Sequence, residues 1–75
     1  MAKRNKLPPY QAIAADLRAK IESGELAPGE QVPSVPEICE QYKVSRGTAL
    51  RAMGVLRDEG LTEVSPGWGT FVKER

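Results

Sequence analysis

Apolar positions fall into three stretches at helical spacing, followed by two short runs of β-rich character. Tyr10, Ile13, Ala14, Leu17 and Ile21 recur every three or four residues, which places them on one buried stripe of a helix. That helix is predicted to start near Pro9, since proline suits a first helical position, and to run to about Ser23 before Gly24. Val35, Ile38, Cys39 and Tyr42 make a second, shorter stripe, with Glu37, Glu40 and Gln41 left towards water. Ser34 caps this helix and Glu37, three residues on, completes a capping box. Pro36 is tolerated there because a first-turn amide has no intrahelical partner. A third helix opens at Ser45 and extends to about Glu59, ending at Gly60. Wound at 3.6 residues per turn, it gathers Ala49, Ala52, Met53 and Leu56 on one face. Gly47, Arg51, Gly54 and Asp58 lie opposite, and Arg46, Leu50 and Arg57 run along one border.

Glu25 to Pro33 contains Pro28-Gly29 and a further proline, so a turn leads into an extended segment in which Gln31-Val32 is a candidate edge strand. Beyond Gly60, the runs Leu61-Thr62-Glu63-Val64 and Thr70-Phe71-Val72-Lys73 flank Ser65-Pro66-Gly67-Trp68-Gly69 and predict a hairpin. Leu61 and one face of the second strand would cover the core. Trp68, at the tip, either folds back on the hairpin or meets a partner. The predicted architecture is mainly α with a small β-hairpin. The tight Tyr42-Lys43-Val44 connector forces the second and third helices to cross steeply, the helix-turn-helix arrangement that directs its second helix into a DNA major groove. A hairpin directly after that motif is a wing.

Seventy-five residues allow one small domain, because so short a chain buries only about 60% of its unfolded surface. Residues 9–75 are assigned to it, and residues 1–8 to a flexible basic arm. Such an arm can settle along a phosphate backbone, although fraying is the commoner behaviour of a terminus. Hydrophobic residues at 40% and charged residues at 28% fit a folded domain. No apolar run approaches the ~18 residues of a membrane span, and MAKRNKLPPY is too polar for a signal peptide. A cytoplasmic protein without a membrane partner is expected. Cys39 is the only cysteine and histidine is absent, which leaves zinc without a ligand set and a thiol nucleophile without its imidazole base. A structural thiol, no metal, no cofactor and no enzymatic activity are the expectations.

The net charge of +1 divides into blocks. Residues 21–42 hold five glutamates and no base, whereas residues 43–57 carry Lys43, Arg46, Arg51 and Arg57 without an acid. Attraction to phosphate follows the local field, so a basic third helix can bind nucleic acid from a nearly neutral chain. Charges that merely coat solvated faces would give the same pattern. The outward glycines of the third helix each cost about 1 kcal/mol relative to alanine. Either a surface must come close to the backbone there, or Gly54 is a tolerated imperfection.

Taken in order, PPYQAIAADLRAKIESGELAPGEQVPS, YKVSRGTALRAM, LRDEGL and GWGTFV resemble the winged helix-turn-helix domain of the GntR family of bacterial transcription regulators, from about Pro9 to Val72. The resemblance implies sequence-specific binding of double-stranded operator DNA by the third helix, with the wing gripping the neighbouring groove or phosphates. It places Ser45 and Thr48 as hydroxyls near phosphates and Arg46 on a base edge, where a bidentate contact to guanine is worth about 1–3 kcal/mol. Arg51 matches a frequent basic position, for a phosphate or a base, and Gly67, Gly69 and Thr70 match the wing signature. Ser34, Gly47, Leu50 and Trp68 complete the candidate DNA-binding set.

Two departures stand out. The family usually has arginine where this chain has Pro36, and often again where it has Leu50. Leu50 either touches a thymine methyl or, as is commoner for an apolar side chain at a helix border, packs. Changed operator preference or weaker affinity is expected. Similar family members continue into a C-terminal domain that binds an effector and joins two subunits, so the chain is read as an excised domain or a miniature regulator, without an assignable effector pocket. Dimerisation on adjacent half-sites stays open. A repressor is the expected role, since occupying a promoter blocks polymerase directly. A winged-helix protein-interaction module and an architectural or recombination-directing factor are the alternatives.

Overall fold

A computed structural model describes residues 7–74. Most of the basic arm read from the sequence therefore lies outside the described residues. Three helices precede a two-stranded antiparallel hairpin: α1 (Pro9–Ser23), α2 (Val35–Tyr42), α3 (Arg46–Asp58), β1 (Thr62–Ser65) and β2 (Gly69–Val72). Each boundary has a local cause. Pro9 opens α1, and Gly24 closes it in the left-handed region at φ +90°, donating its amide to the Ile21 carbonyl. At α2 the Ser34 hydroxyl accepts from the Glu37 amide at 3.3 Å while Glu37 Oε1 accepts from the Ser34 amide at 2.8 Å, a complete capping box.

The connector differs from the sequence reading by one residue. Tyr42 is the last residue of α2, and the turn is Lys43-Val44-Ser45. Lys43 takes the left-handed conformation, φ 58° and ψ 48°, which suits glycine better than a residue with a Cβ. No glycine marks this turn in the sequence.

Ile13, Ala14 and Leu17 of α1, Val32, Ile38 of α2, Ala49, Ala52 and Leu56 of α3 and Val72 of β2 form the core. Tyr10, Ile21, Val35, Cys39, Tyr42, Met53 and Leu61 pack around it half-buried. Every predicted stripe thus faces inwards, with its outer members at the edge of the core. Two polar ties join α1 to its neighbours: Arg18 meets Glu59 at the end of α3 through paired 2.8 Å hydrogen bonds, and the Tyr42 hydroxyl donates to Asp16.

The hairpin pairs Thr62 with Val72, Glu63 with Phe71, Val64 with Thr70 and Ser65 with Gly69. Leu61 falls just before β1 and Lys73 just after β2, a one-residue difference at each end. The turn explains it: the Trp68 amide donates to the Ser65 carbonyl at 2.9 Å, so Ser65 belongs to the ladder. Pro66 follows and Gly67 takes φ +84°, the residue order of a type II turn. The segment before α2 pairs with the other edge of β2 through a bridge between Gln31 and Phe71. Val32 donates to Thr70 at 2.8 Å, Val72 to Glu30 at 2.8 Å and Gly29 to Val72 at 2.9 Å. The predicted edge strand is therefore present as a single bridge that anchors the wing at its base.

Candidate nucleic-acid interface

Ser45 organises the start of α3. Its hydroxyl accepts from the Thr48 amide at 3.3 Å and donates to Thr48 Oγ1 at 3.2 Å, so both hydroxyls are held at the positive end of the helix. Arg46 and Gly47 follow immediately, both exposed. Arg46 takes part in neither of the two ion pairs found among the described residues, Arg18 with Glu59 and Lys20 with Asp16. Its guanidinium faces solvent beside the capped first turn.

The two flanks of α3 part company from there. Arg51 is exposed but turns towards α1, with its guanidinium carbon 4.7 Å from the centre of the Tyr10 ring. That cation–π contact holds the side chain extended over an aromatic face. Leu50 lies on the other flank and is 50% exposed, so packing does not account for it. Between α3 and the wing runs a groove of about 510 Å³, lined among others by Ser34, Leu50, Gly54, Arg57, Val64 and Thr70. No acidic residue lines it.

Alternation along the hairpin explains the wing's share. Thr62 and Val72 face each other at the core, and the next pair on that face, Val64 with Thr70, overhangs the groove. Glu63 and Phe71 point to the opposite face, where Lys73 and Glu74 also lie. The acids of the wing are therefore kept away from α3.

At the tip, Gln31 Nε2 donates to the Trp68 carbonyl at 3.1 Å. Gly69 makes this approach possible: a Cβ there would stand 2.5 Å from Gln31 Nε2, and its φ of +126° is itself a glycine conformation. Trp68 is 79% exposed. It borders the hollow that Glu63, Ser65 and Phe71 line on the outer face of the hairpin. The hold of Gln31 on the wing tip is the part of this geometry that the sequence did not announce. Its signal was faint, an extended dipeptide between prolines whose partner lies 37 residues away.

The fold thus brings Ser34, Leu50, Gly69 and Thr70 around one groove, holds Arg46 and Gly47 with Ser45 and Thr48 at the head of α3, sets Gly67 and Trp68 at the turn of the wing, and puts Arg51 on the far flank. The hydroxyls of Ser34 and Ser45 are engaged as helix caps yet both residues remain exposed. Residues 9–72 match the family described as bacterial regulatory proteins, gntR family. The chain belongs to that family. It is 39% identical over 72 residues to the HTH-type transcriptional repressor NagR of Bacillus subtilis, covering 96% of this chain and 30% of that protein. Against the arabinose metabolism transcriptional repressor of Geobacillus stearothermophilus the identity is 37% over 70 residues, 93% of this chain and 19% of the relative. The chain therefore spans less than a third of the length of these curated relatives. Among solved structures, the crystal structure of AraR(DBD) in complex with operator ORR3 superposes with a TM-score of 0.86 at 32% identity, covering 96% of this chain and 87% of that one. The gntR-family fold here is a three-helix winged helix-turn-helix. No helix among its described residues is long and apolar enough to cross a membrane.

Proposed function

We propose that this gntR-family domain binds double-stranded operator DNA in a sequence-specific manner and regulates transcription as a repressor in the cytoplasm. Helix α3 enters the major groove and the wing rests on the adjacent backbone. The observation that carries this reading is the acid-free groove beside α3, with Arg57 on its lining and Arg46 exposed at the first turn of the same helix. A duplex is anionic along both rims, and cations on a rod-shaped element meet it without opposing charge. Arg46 at the first turn reads a base edge, Ser45 and Thr48 sit by a phosphate, and Arg51 reaches phosphate from its platform on Tyr10. Gly67, Trp68, Gly69 and Thr70 bring the tip against the sugar-phosphate wall. Two relatives named as repressors and a neighbour solved on an operator support the same reading. Occupation of two half-sites by two copies is part of the proposal.

Selection of bound fragments from random duplexes, followed by binding titrations at two salt concentrations, tests it. Affinity is expected to fall steeply with salt in proportion to the phosphates contacted. Arg46→Ala is expected to erase the preference for the selected duplex over random DNA, whereas Arg57→Ala, on the groove lining, weakens both alike. Full preference in Arg46→Ala would remove the base-reading role. Salt-tolerant binding of a protein, with no preferred duplex, would instead favour an interaction module centred on Trp68.

A further inference from the structure

Leu50 stands where burial would not put a leucine. It is 50% exposed, one turn beyond Arg46 and seven residues before Arg57, so helical spacing sets it between two arginines along one border of α3. Across the groove, Val64 of β1 is 56% exposed. Gly54, one turn beyond Leu50, has nothing within 4 Å of the place a Cβ would take. Val35 and Met53 close the apolar wall. An apolar strip framed by cations, with no acid alongside, suits a partner that is anionic at its rims and carries hydrocarbon on its floor. The major groove has that character, because phosphates line both edges and each thymine presents its C5-methyl between them.

We infer that Leu50 is a specificity-determining residue that packs on the C5-methyl of a thymine next to the base pair contacted by Arg46. The inference rests on the operator-binding reading above and adds the identity of one base. Leucine is shorter than arginine, so its tip reaches a base edge only if α3 sits deep. Gly54 permits that depth by leaving the following turn without a side chain. Loss of contact with one methyl group is worth about fourfold in affinity.

The test remakes a selected duplex with deoxyuridine in place of thymine, one position at a time, which deletes the methyl group and keeps every hydrogen-bonding atom. The native protein is expected to lose about fourfold at one or two positions. At those positions 5-methylcytosine is expected to bind better than cytosine. Leu50→Ala, checked for an unchanged circular dichroism spectrum, should bind the thymine and uracil duplexes alike. Arg46→Ala should keep the thymine–uracil difference while losing discrimination at guanine. Equal affinity of the native protein for thymine and uracil everywhere, or a Leu50→Ala variant that still separates them, overturns the inference and leaves operator binding standing. If selection yields no preferred duplex, the operator reading itself falls and this one with it.

Discussion

The two flanks of α3 are finished to different standards. Towards α1, Arg51 lies on the Tyr10 ring, Arg18 closes on Glu59 and the Tyr42 hydroxyl reaches Asp16. Each of these three side chains has its partner within the chain. Towards the wing, Leu50 and Val64 remain half bare, Gly54 faces open space and Arg57 is exposed. A helix propensity cost at Gly54 and an exposed leucine are both unfavourable to the isolated domain. On the wing flank the bare hydrocarbon borders a groove without an acid, and this is the surface that the proposed operator would cover.

Two leucines on the same helix give the sharpest way to break this contrast. Leu56 is fully buried, so Leu56→Ala is expected to cost about 2–5 kcal/mol of folding stability, enough to unfold much of so small a domain. Leu50→Ala should cost about 1 kcal/mol or less. Urea titrations followed by circular dichroism measure both, and similar losses would mean that the wing flank is core after all. Gly54→Ala comes next. Since its Cβ meets nothing within 4 Å, the substitution should raise stability by about 1 kcal/mol, or a melting shift of about 4–8 °C, while weakening DNA binding. A stabilised variant with unchanged affinity would show that no partner approaches that turn.

The smallest effect concerns the closed side and shows itself only in alkali. Burial, helped by the hydrogen bond to Asp16 and its charge, pushes the Tyr42 phenol up from 10.0 to about 12. The fold favours the neutral phenol, so its contribution is whole below the unfolded value near 10 and is lost as pH rises through about 12. Tyrosinate absorbance should place one phenol near that value, and Tyr42→Phe should remove the stability loss in this window. A Tyr42 that titrates in the unfolded range would mean that the tie to α1 is not formed.

What could be read from the sequence divides along similar lines. The helices were legible because their signals are local: stripes at three- and four-residue spacing, serine caps at Ser34 and Ser45, and Gly24 at the end of α1. The hairpin was legible in kind, but runs of four residues alternate too briefly to fix register, and the bond from Trp68 to Ser65 decided it. Lys43 in the left-handed region left no trace because glycine, the usual marker of that conformation, does not occupy the turn. In the candidate site, the exposure of Arg46 and the prominence of Trp68 followed from position in the pattern. The stack of Arg51 on Tyr10 and the hold of Gln31 on the tip did not, since each joins residues some forty positions apart. Local periodicity cannot specify such pairs.

The bridge between Gln31 and β2 has a consequence for how quickly and at what entropic loss the domain can seat itself. With main-chain bonds at the base and the Gln31 carboxamide near the summit, the hairpin is preset at a fixed distance from α3. A loose finger would have to surrender conformational freedom on docking, whereas a preset one carries that loss already in its folded state. Encounter then becomes a fit between two stiff shapes.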